Sequence, residues 1–385
     1  MHIGILTGGG DVPGLNAVIK KVVNLAAAQN HKVTGFRRGW AGPLNYNPDD
    51  LAGSQRWLMP LNTQHVRGID RTGGTILHSS RTNPAKVKKG ELPDFLQNGY
   101  ASADEAQTVD ATPHILNVLD ALNMDVLIAI GGDDTLSYAA RLHEEGVPTL
   151  CIPKTMDNDV YGTDYCIGFS TCVSRSVELV TRLRSPAGSH ERILFVELFG
   201  RHSGESALIT GYLCAADRVL IPEVPIDLDN VADFLAADRA ANSSNYAVCL
   251  VSEGAMLNAG QRIESGEADA YGHKKLGGIG AQIADGVLAR TGIKNMQQNL
   301  AYLVRAGAPD ALDLMVAKNY AAMAMQQIEK RQFGLMMALH DGRYCTRPAN
   351  ISTQGVRAAD VKNLYDPATY RPHINAVEGL PMFLS

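Results

Sequence analysis

Short uncharged apolar runs alternate with helix-period patterns along nearly the whole chain, and the changeovers pass through turns rich in glycine and aspartate. Residues 2–7 (HIGILT) read as a strand and 8–14 (GGGDVPG) as a turn, after which Leu15, Val18, Ile19, Val22 and Val23 fall on one helical face. Strands buried on both faces show continuous apolar runs, which is the pattern of a parallel sheet covered by helices. The unit recurs as strand 125–131, helix 136–145 and strand 149–153. It returns as strand 193–199, helix 206–216, strand 218–221, a helix from Leu228 and strand 246–251. Residues 277–290 read as a helix, 300–304 as a strand, 309–331 as a long helix and 333–339 as a late strand. About ten strands are too many for one compact sheet of this length, so two α/β domains are predicted. Residues 83–110 are charged and irregular and read as a mobile surface excursion.

Composition removes several function classes. The 385 residues carry 35 basic and 40 acidic side chains, a net charge of −5, without the basic excess of a general nucleic-acid or anionic-membrane binder. Any anionic ligand must meet locally concentrated Arg and Lys. No uncharged stretch approaches the ~20 residues that span a bilayer, and the N-terminus enters strand-like sequence directly, so a cytoplasmic protein without membrane or nucleic-acid partners is expected. The six cysteines form no C-x-x-C pair, and most lie in apolar runs where a free thiol acts as a small core residue. The 37 glycines have no collagen-like period and are expected where the backbone turns tightly or approaches a ligand.

In open α/β sheets ligands bind beyond the carboxyl ends of strands, so the strand-to-helix turns carry the functional information. Four are unusual. Thr7-Gly8-Gly9-Gly10-Asp11-Val12-Pro13-Gly14 sets consecutive glycines ahead of a helix N-terminus, where free N–H groups and the helix dipole favour a phosphate. It matches neither the dinucleotide nor the P-loop spacing, and a tight turn explains it equally well. Ile130-Gly131-Gly132-Asp133-Asp134-Thr135 ends a buried strand in adjacent carboxylates. Helix capping accounts for one Asp; a pair behind two glycines suits Mg²⁺, which takes one or two carboxylates plus substrate oxygens. Pro153-Lys154-Thr155-Met156-Asp157-Asn158-Asp159 is either a solvated loop or a set comprising a cation, a hydroxyl and a general base. Phe199-Gly200-Arg201-His202-Ser203-Gly204-Glu205 offers Arg201 to an anion, while His202 reads as a cap or surface residue. Together the four turns point to phosphoryl transfer, which needs anion cradles, a metal and a positioned base.

Taken in order, Gly9-Gly10-Asp11, Gly73-Gly74-Thr75-Ile76-Leu77 through Arg81, residues 131–135, residues 153–159, Gly200-Arg201, Ser252-Glu253-Gly254 and Tyr302-Leu303-Val304-Arg305 resemble the 6-phosphofructokinase family over most of residues 1–355. The resemblance implies two Rossmann-like domains, each with a mainly parallel sheet flanked by helices. Residues 1–168 with 304–354 would bind the phosphoryl donor and Mg²⁺, and 169–303 with 355–385 the sugar phosphate. It also implies a homodimer or homotetramer. Carried over residue by residue, Asp157 matches the base that takes the proton of the sugar 1-hydroxyl, with Thr155 and Asp159 flanking it, and Asp133 the Mg²⁺-associated carboxylate. Gly9, Gly10, Gly132 and Thr135 fall at the donor-phosphate turns, and Arg81 matches an arginine bridging donor and acceptor phosphates. Phe199, Gly200, Arg201, Glu253, Tyr302 and Arg305 match the sugar-phosphate pocket, and Arg192 an arginine reaching a neighbouring subunit's substrate.

Asp134 and Lys154 stand where ATP-dependent members usually have glycine, and the combination looks like the pyrophosphate-dependent branch. A carboxylate at 134 repels and obstructs the α-phosphate of ATP yet leaves room for a two-phosphorus donor, and Lys154 neutralises the leaving phosphate. The expected activity is therefore reversible diphosphate:fructose-6-phosphate 1-phosphotransfer, with ATP as the alternative donor. Phe199 replaces the Met usual in the family, His78 a small residue, and Met296 and Gln297 stand near the second inter-subunit arginine, with Lys294 displaced. Sedoheptulose 7-phosphate, another sugar phosphate or a polyol therefore stay open as acceptors. Of the basic residues that allosteric relatives carry on the first helix, Lys20 is kept and Asn24 replaces the next, so little response to ADP or phosphoenolpyruvate is expected. A non-catalytic sugar-phosphate-binding paralogue would have lost the base or the metal carboxylate, and both are present. The tail after Asn350 is expected to do no more than pack.

Overall fold

The computed structural model describes residues 1–258, 260, 264–265 and 275–380; residues 266–274 and 381–385, assigned above to the second domain, lie outside the described residues. A seven-stranded sheet and a four-stranded sheet organise the chain. The larger is built from β1 (His2–Thr7), β2 (Lys32–Phe36), β3 (Leu58–Leu61), β4 (Val126–Gly131), β5 (Thr149–Pro153), β10 (Leu335–His340) and β11 (Arg343–Pro348), in the order β11-β10-β5-β4-β1-β2-β3. Its inner pairs are parallel and only the outermost pairs, β2 with β3 and β10 with β11, are antiparallel. The smaller sheet, all parallel, runs β9 (Asn295–Asn299), β6 (Ile193–Leu198), β8 (Ala247–Ser252), β7 (Arg218–Leu220).

Both faces of the larger sheet are covered. Ile128 and Ile130 of β4 enter one core and Leu127 and Ala129 the other, so successive side chains alternate between two apolar layers. The first layer includes α1 (Leu15–Ala28), whose Leu15, Val18, Ile19, Val22, Val23 and Ala26 are buried at helical spacing. Gly14 opens this helix at φ +113°, a left-handed conformation that costs glycine nothing. That layer is continuous with the core of the smaller sheet through Leu194, Val196, Val248 and Leu250. Among the described residues the longer helices are α1, α2 (Thr112–Ala121), α3 (Asp133–Glu144), α4 (Phe169–Ser189), α5 (Glu205–Leu213), α6 (Leu228–Ala241), α7 (Ile279–Thr291) and α8 (Ala311–Glu329).

The structure adds β2, β3, β11 and α2, which the sequence reading did not contain, and three further segments differ from it. Residues 301–304 form a 3₁₀ turn, not a strand, and the neighbouring strand is β9, Asn-Met-Gln-Gln-Asn. An edge strand with half its surface in solvent need not be apolar, so it left no hydrophobic signature. α4 was missed although Phe169, Cys172, Val173, Val180 and Ala187 are buried at helical spacing, because buried Thr171 and Ser176 interrupt the apolar pattern and Pro186 stands inside the helix. The 83–110 excursion is anchored: Val87 and Leu92 are buried, and Val87–Lys88 pairs antiparallel with Thr108–Val109.

Parallel pairing brings strand ends level. Thr7 lies opposite Ile130 and Gly131 opposite Pro153, so the turns after β1, β4 and β5 stand side by side. In the smaller sheet Leu198 pairs with Ser252 and Glu197 with Asn299, which aligns the turns after β6, β8 and β9.

Candidate active site

The two sets of turns open onto one cavity of about 1120 Å³. Gly9, Gly10, Arg81, Gly132, Asp133, Asp134, Thr135, Lys154, Thr155, Asp157, Asp159, Phe199, Arg201, Glu253, Tyr302 and Arg305 all line it. Two of the expected residues do not. Gly200 lies beneath, at φ +139°, where a Cβ would come 2.7 Å from Ser203 O. Arg192 sits immediately before β6, at the end of that strand opposite the cavity.

On the larger-sheet side, close backbone approach decides the geometry. A Cβ on Gly8 or Gly131 would fall 2.4 Å from Oγ1 or 2.2 Å from Cβ of Thr135, so α3 seats directly on the two turns because both lack side chains. Fewer N–H groups are free than the glycine run suggests: Gly8 donates to Ile130 O and Gly9 to Ser80 O, both at 2.9 Å. α1 begins at Leu15, six residues after Gly9. Neither Asp133 nor Asp134 caps α3. Gly132 holds the N-cap position, and both aspartates fall in the first helical turn, where the dipole favours a carboxylate.

Lys154, 4% exposed, donates from Nζ to Gly10 O at 2.6 Å. Burial, followed by the charges of Arg305 and Arg81, brings its ammonium down to about 8. Burial raises the Asp157 carboxyl, opposed by the Arg201 N–H that donates to its Oδ2 at 3.2 Å. Asp159 is pushed up to about 8 by burial and then by the carboxylates of Asp157 and Asp133. Glu253 rises to about 8 through burial and Asp157. This crowding of acids is what a bound cation relieves. Among the described residues no cluster of three or more His, Cys, Asp or Glu is arranged as a metal cage. The acidic wall therefore fits a hard cation that completes its shell with substrate oxygens, as Mg²⁺ does, rather than a closed zinc-type site.

On the smaller-sheet side, side chains rather than backbone shape the wall. The guanidinium of Arg305 lies 4.4 Å from the Phe199 ring centroid and 5.9 Å from that of Tyr302, and Nη1 donates to Asp11 O at 3.1 Å. Its Nε is buried without a hydrogen-bond partner. Phe199 thus serves as a platform for a cation. His202, read as a cap or surface residue, lines the cavity, as do Asp11, His78 and Asn299. Asn299 donates to Glu197 Oε1 at 2.6 Å, and Glu197 also accepts from Gly280 N at 2.8 Å. A Glu inside the buried run Ile-Leu-Phe-Val-Glu-Leu was the sequence signal for this polar junction. His78 holds φ +58° and its ring meets Arg37 at 3.4 Å.

The tail packs through polar contacts at the loop that carries Asp157. Arg357 pairs with the buried Glu205 and donates to Asn158 O at 2.8 Å, directly beneath the Asp157 loop. The six cysteines are free thiols, five of them buried. No described helix is long and apolar enough to cross a membrane.

The two-sheet frame, with acids and bases gathered beyond the carboxyl ends of parallel strands, defines an α/β protein built to handle phosphorylated ligands. The chain belongs to the phosphofructokinase family, whose model matches residues 2–328. It is 40% identical over 341 residues to the pyrophosphate–fructose 6-phosphate 1-phosphotransferase of Amycolatopsis mediterranei (strain S699), covering 88% of this chain and 90% of the relative. The ATP-dependent 6-phosphofructokinase 3 of Streptomyces coelicolor is 35% identical over 88% of this chain and 91% of its own length. Among solved structures, a pyrophosphate-dependent phosphofructokinase from Marinobacter aquaeolei superposes with a TM-score of 0.76 at 18% identity, covering 100% of this chain and 91% of that one, a likeness of fold.

Proposed function

We propose that this chain transfers a phosphoryl group from pyrophosphate to the 1-hydroxyl of fructose 6-phosphate, giving fructose 1,6-bisphosphate and phosphate, and that the reaction runs both ways. The observation that carries the donor assignment is the position of Asp134 and Lys154 on the same cavity wall, with Lys154 buried against Gly10. An additional phosphate and nucleoside would meet the Asp134 carboxylate, whereas a two-phosphorus donor stops short of it. The relative named for pyrophosphate shares more identity with this chain than the one named for ATP.

Asp157 accepts the proton of the sugar hydroxyl, its Oδ2 oriented by the Arg201 amide. The freed oxygen attacks the nearer phosphorus, the bridging P–O bond breaks, and phosphate leaves with the electron pair. Lys154 and Arg81 hold the charge that builds on the leaving group. Arg201 and Arg305 take the 6-phosphate, and the unpartnered Nε of Arg305 supplies a donor for it. Asp133 would hold Mg²⁺ against the donor oxygens, supplying charge neutralisation when bound.

The division of labour follows the sheets: residues 1–168 with 304–354 serve the donor and 169–303 with 355–385 the sugar phosphate, with Arg305 the exception, since its guanidinium lies against Phe199 on the acceptor wall. A homodimer or homotetramer completes the acceptor pocket in this reading: Arg192 stands at the end of β6 remote from its own cavity, and its substrate contact is assigned to a neighbouring subunit. A cytoplasmic enzyme with little response to ADP or phosphoenolpyruvate is expected, Lys20 being already paired with Asp70 at 2.7 Å. The test is a matrix of pyrophosphate and ATP against fructose 6-phosphate, sedoheptulose 7-phosphate and an unphosphorylated polyol. The highest kcat/KM is expected for pyrophosphate with fructose 6-phosphate, and a better rate with ATP overturns the donor assignment.

A further inference from the structure

On the side of the Asp157 loop that faces away from the cavity lies a buried ion pair for which substrate chemistry has no use. Arg357 comes from the C-terminal segment and Glu205 opens α5; their side chains are 11% and 4% exposed. The guanidinium donates to both Glu205 oxygens, Nη2 to Oε1 at 3.1 Å, and Nη1 also donates to Asn158 O at 2.8 Å. The Arg357 amide donates in turn to Asp159 O at 2.9 Å. One residue thereby holds two successive carbonyls of the loop.

The residue between the two aspartates explains why such a clamp is needed. Asn158 is fully buried and sits at φ +55°, a left-handed conformation uncommon outside glycine. Its side-chain amide donates to Asp164 O at 2.9 Å and reaches both Glu205 oxygens at 3.3 Å. A strained residue persists only where its surroundings over-determine it. Here the strain reverses the backbone, so that Asp157 and Asp159 line the cavity while the carbonyls of 158 and 159 meet Arg357. Glu205 also closes the other loop, 199–205, which supplies the Arg201 amide to Asp157. The pair therefore spans the junction across which the base is oriented. Buried ion pairs rarely outdo apolar isosteres in stability, and their best-attested use is to specify geometry.

We propose that Arg357, acting with Glu205, is a positioning residue for phosphoryl transfer: it touches no reacting group but fixes the peptide groups that aim Asp157. This rests on the reading of Asp157 as the base. The full-length Arg357→Met and Arg357→Lys proteins are compared with the parent in steady-state kinetics and in amide hydrogen exchange of peptides covering 154–168. Misplacing a reacting group by an ångström costs about 10²-fold, so Arg357→Met is expected to lose about that factor in kcat with both KM values within about threefold of the parent. Arg357→Lys, whose single ammonium cannot fork between Asn158 O and Glu205, is expected to recover part of the loss. Exchange should quicken in 154–168 and not in the core strands β4 and β8. Parental kcat in folded Arg357→Met overturns the proposal, as does a kcat loss accompanied by equal quickening in the core strands. Should Arg357→Met fail to fold, Arg357→Lys decides by the same criteria. Should the parent not turn over pyrophosphate with fructose 6-phosphate, the functional reading fails, and exchange in 154–168 still decides whether the clamp exists.

Discussion

The two walls of the cavity are made differently. On the larger-sheet side three turns stand level at the ends of β1, β4 and β5, and their shape is set by glycines that let backbone and Thr135 approach within contact. On the smaller-sheet side the wall is made of long side chains, with the Arg305 guanidinium 4.4 Å from the Phe199 ring and 5.9 Å from that of Tyr302, which is 77% exposed. A wall of backbone has little room to adapt, whereas a wall of side chains can be re-shaped by one substitution or completed by a neighbouring subunit. The donor side is therefore expected to be exacting and the acceptor side tunable.

The strongest test lies where the walls meet. Asp157→Ser removes the proposed base, and kcat should fall by about 10²–10⁴-fold while sugar-phosphate binding, followed by calorimetry, is kept; unchanged turnover refutes the mechanism. On the donor wall, Asp134→Gly with Lys154→Gly should lower kcat/KM for pyrophosphate by about 10²–10³-fold, the scale of losing a preorganised charge aimed at the leaving group. An equal loss with a single substitution on the acceptor wall would erase the contrast drawn here.

Titration probes the donor wall without disturbing it. Lys154 carries its charge below about 8 and loses it above. Because deprotonation removes the cation that meets the donor, kcat/KM for pyrophosphate should fall about tenfold for each pH unit above that value, in proportion to the shrinking protonated fraction. Lys154→Arg, which stays charged, should flatten the slope between pH 7 and 9.5; an identical slope would assign the titration to another group. The smallest effect is expected on the acceptor wall. Phe199→Met removes a ring worth about 0.5–1 kcal/mol to the Arg305 guanidinium, so fructose 6-phosphate KM should move by only about two- to fivefold and pyrophosphate KM not at all. A change in pyrophosphate KM would show that the walls are not separable.

The chain's order of apolar runs and turns was enough to read an α/β protein with two sheets, because each parallel strand buried on both faces leaves an unbroken apolar run. The residues after β1, β4, β5 and β6 were legible because polar clusters directly behind such runs have few structural uses. β9 was not legible: it is an edge strand of Asn, Met and Gln whose pairing with β6 comes from backbone hydrogen bonds. Asn299 and His202 reach the cavity only through that pairing and through the turn of 199–205, neither of which has a local pattern.

By itself the sequence determined which side chains stand at strand ends, since that follows from spacing along one segment. Only the tertiary structure decided that two sheets face one cavity, that Phe199 lies beneath Arg305, and that Arg357 reaches Asn158 from 199 positions away. Those arrangements depend on contacts between segments distant in the chain, where the closing of long loops and the packing of two cores, rather than any local preference, choose the partner.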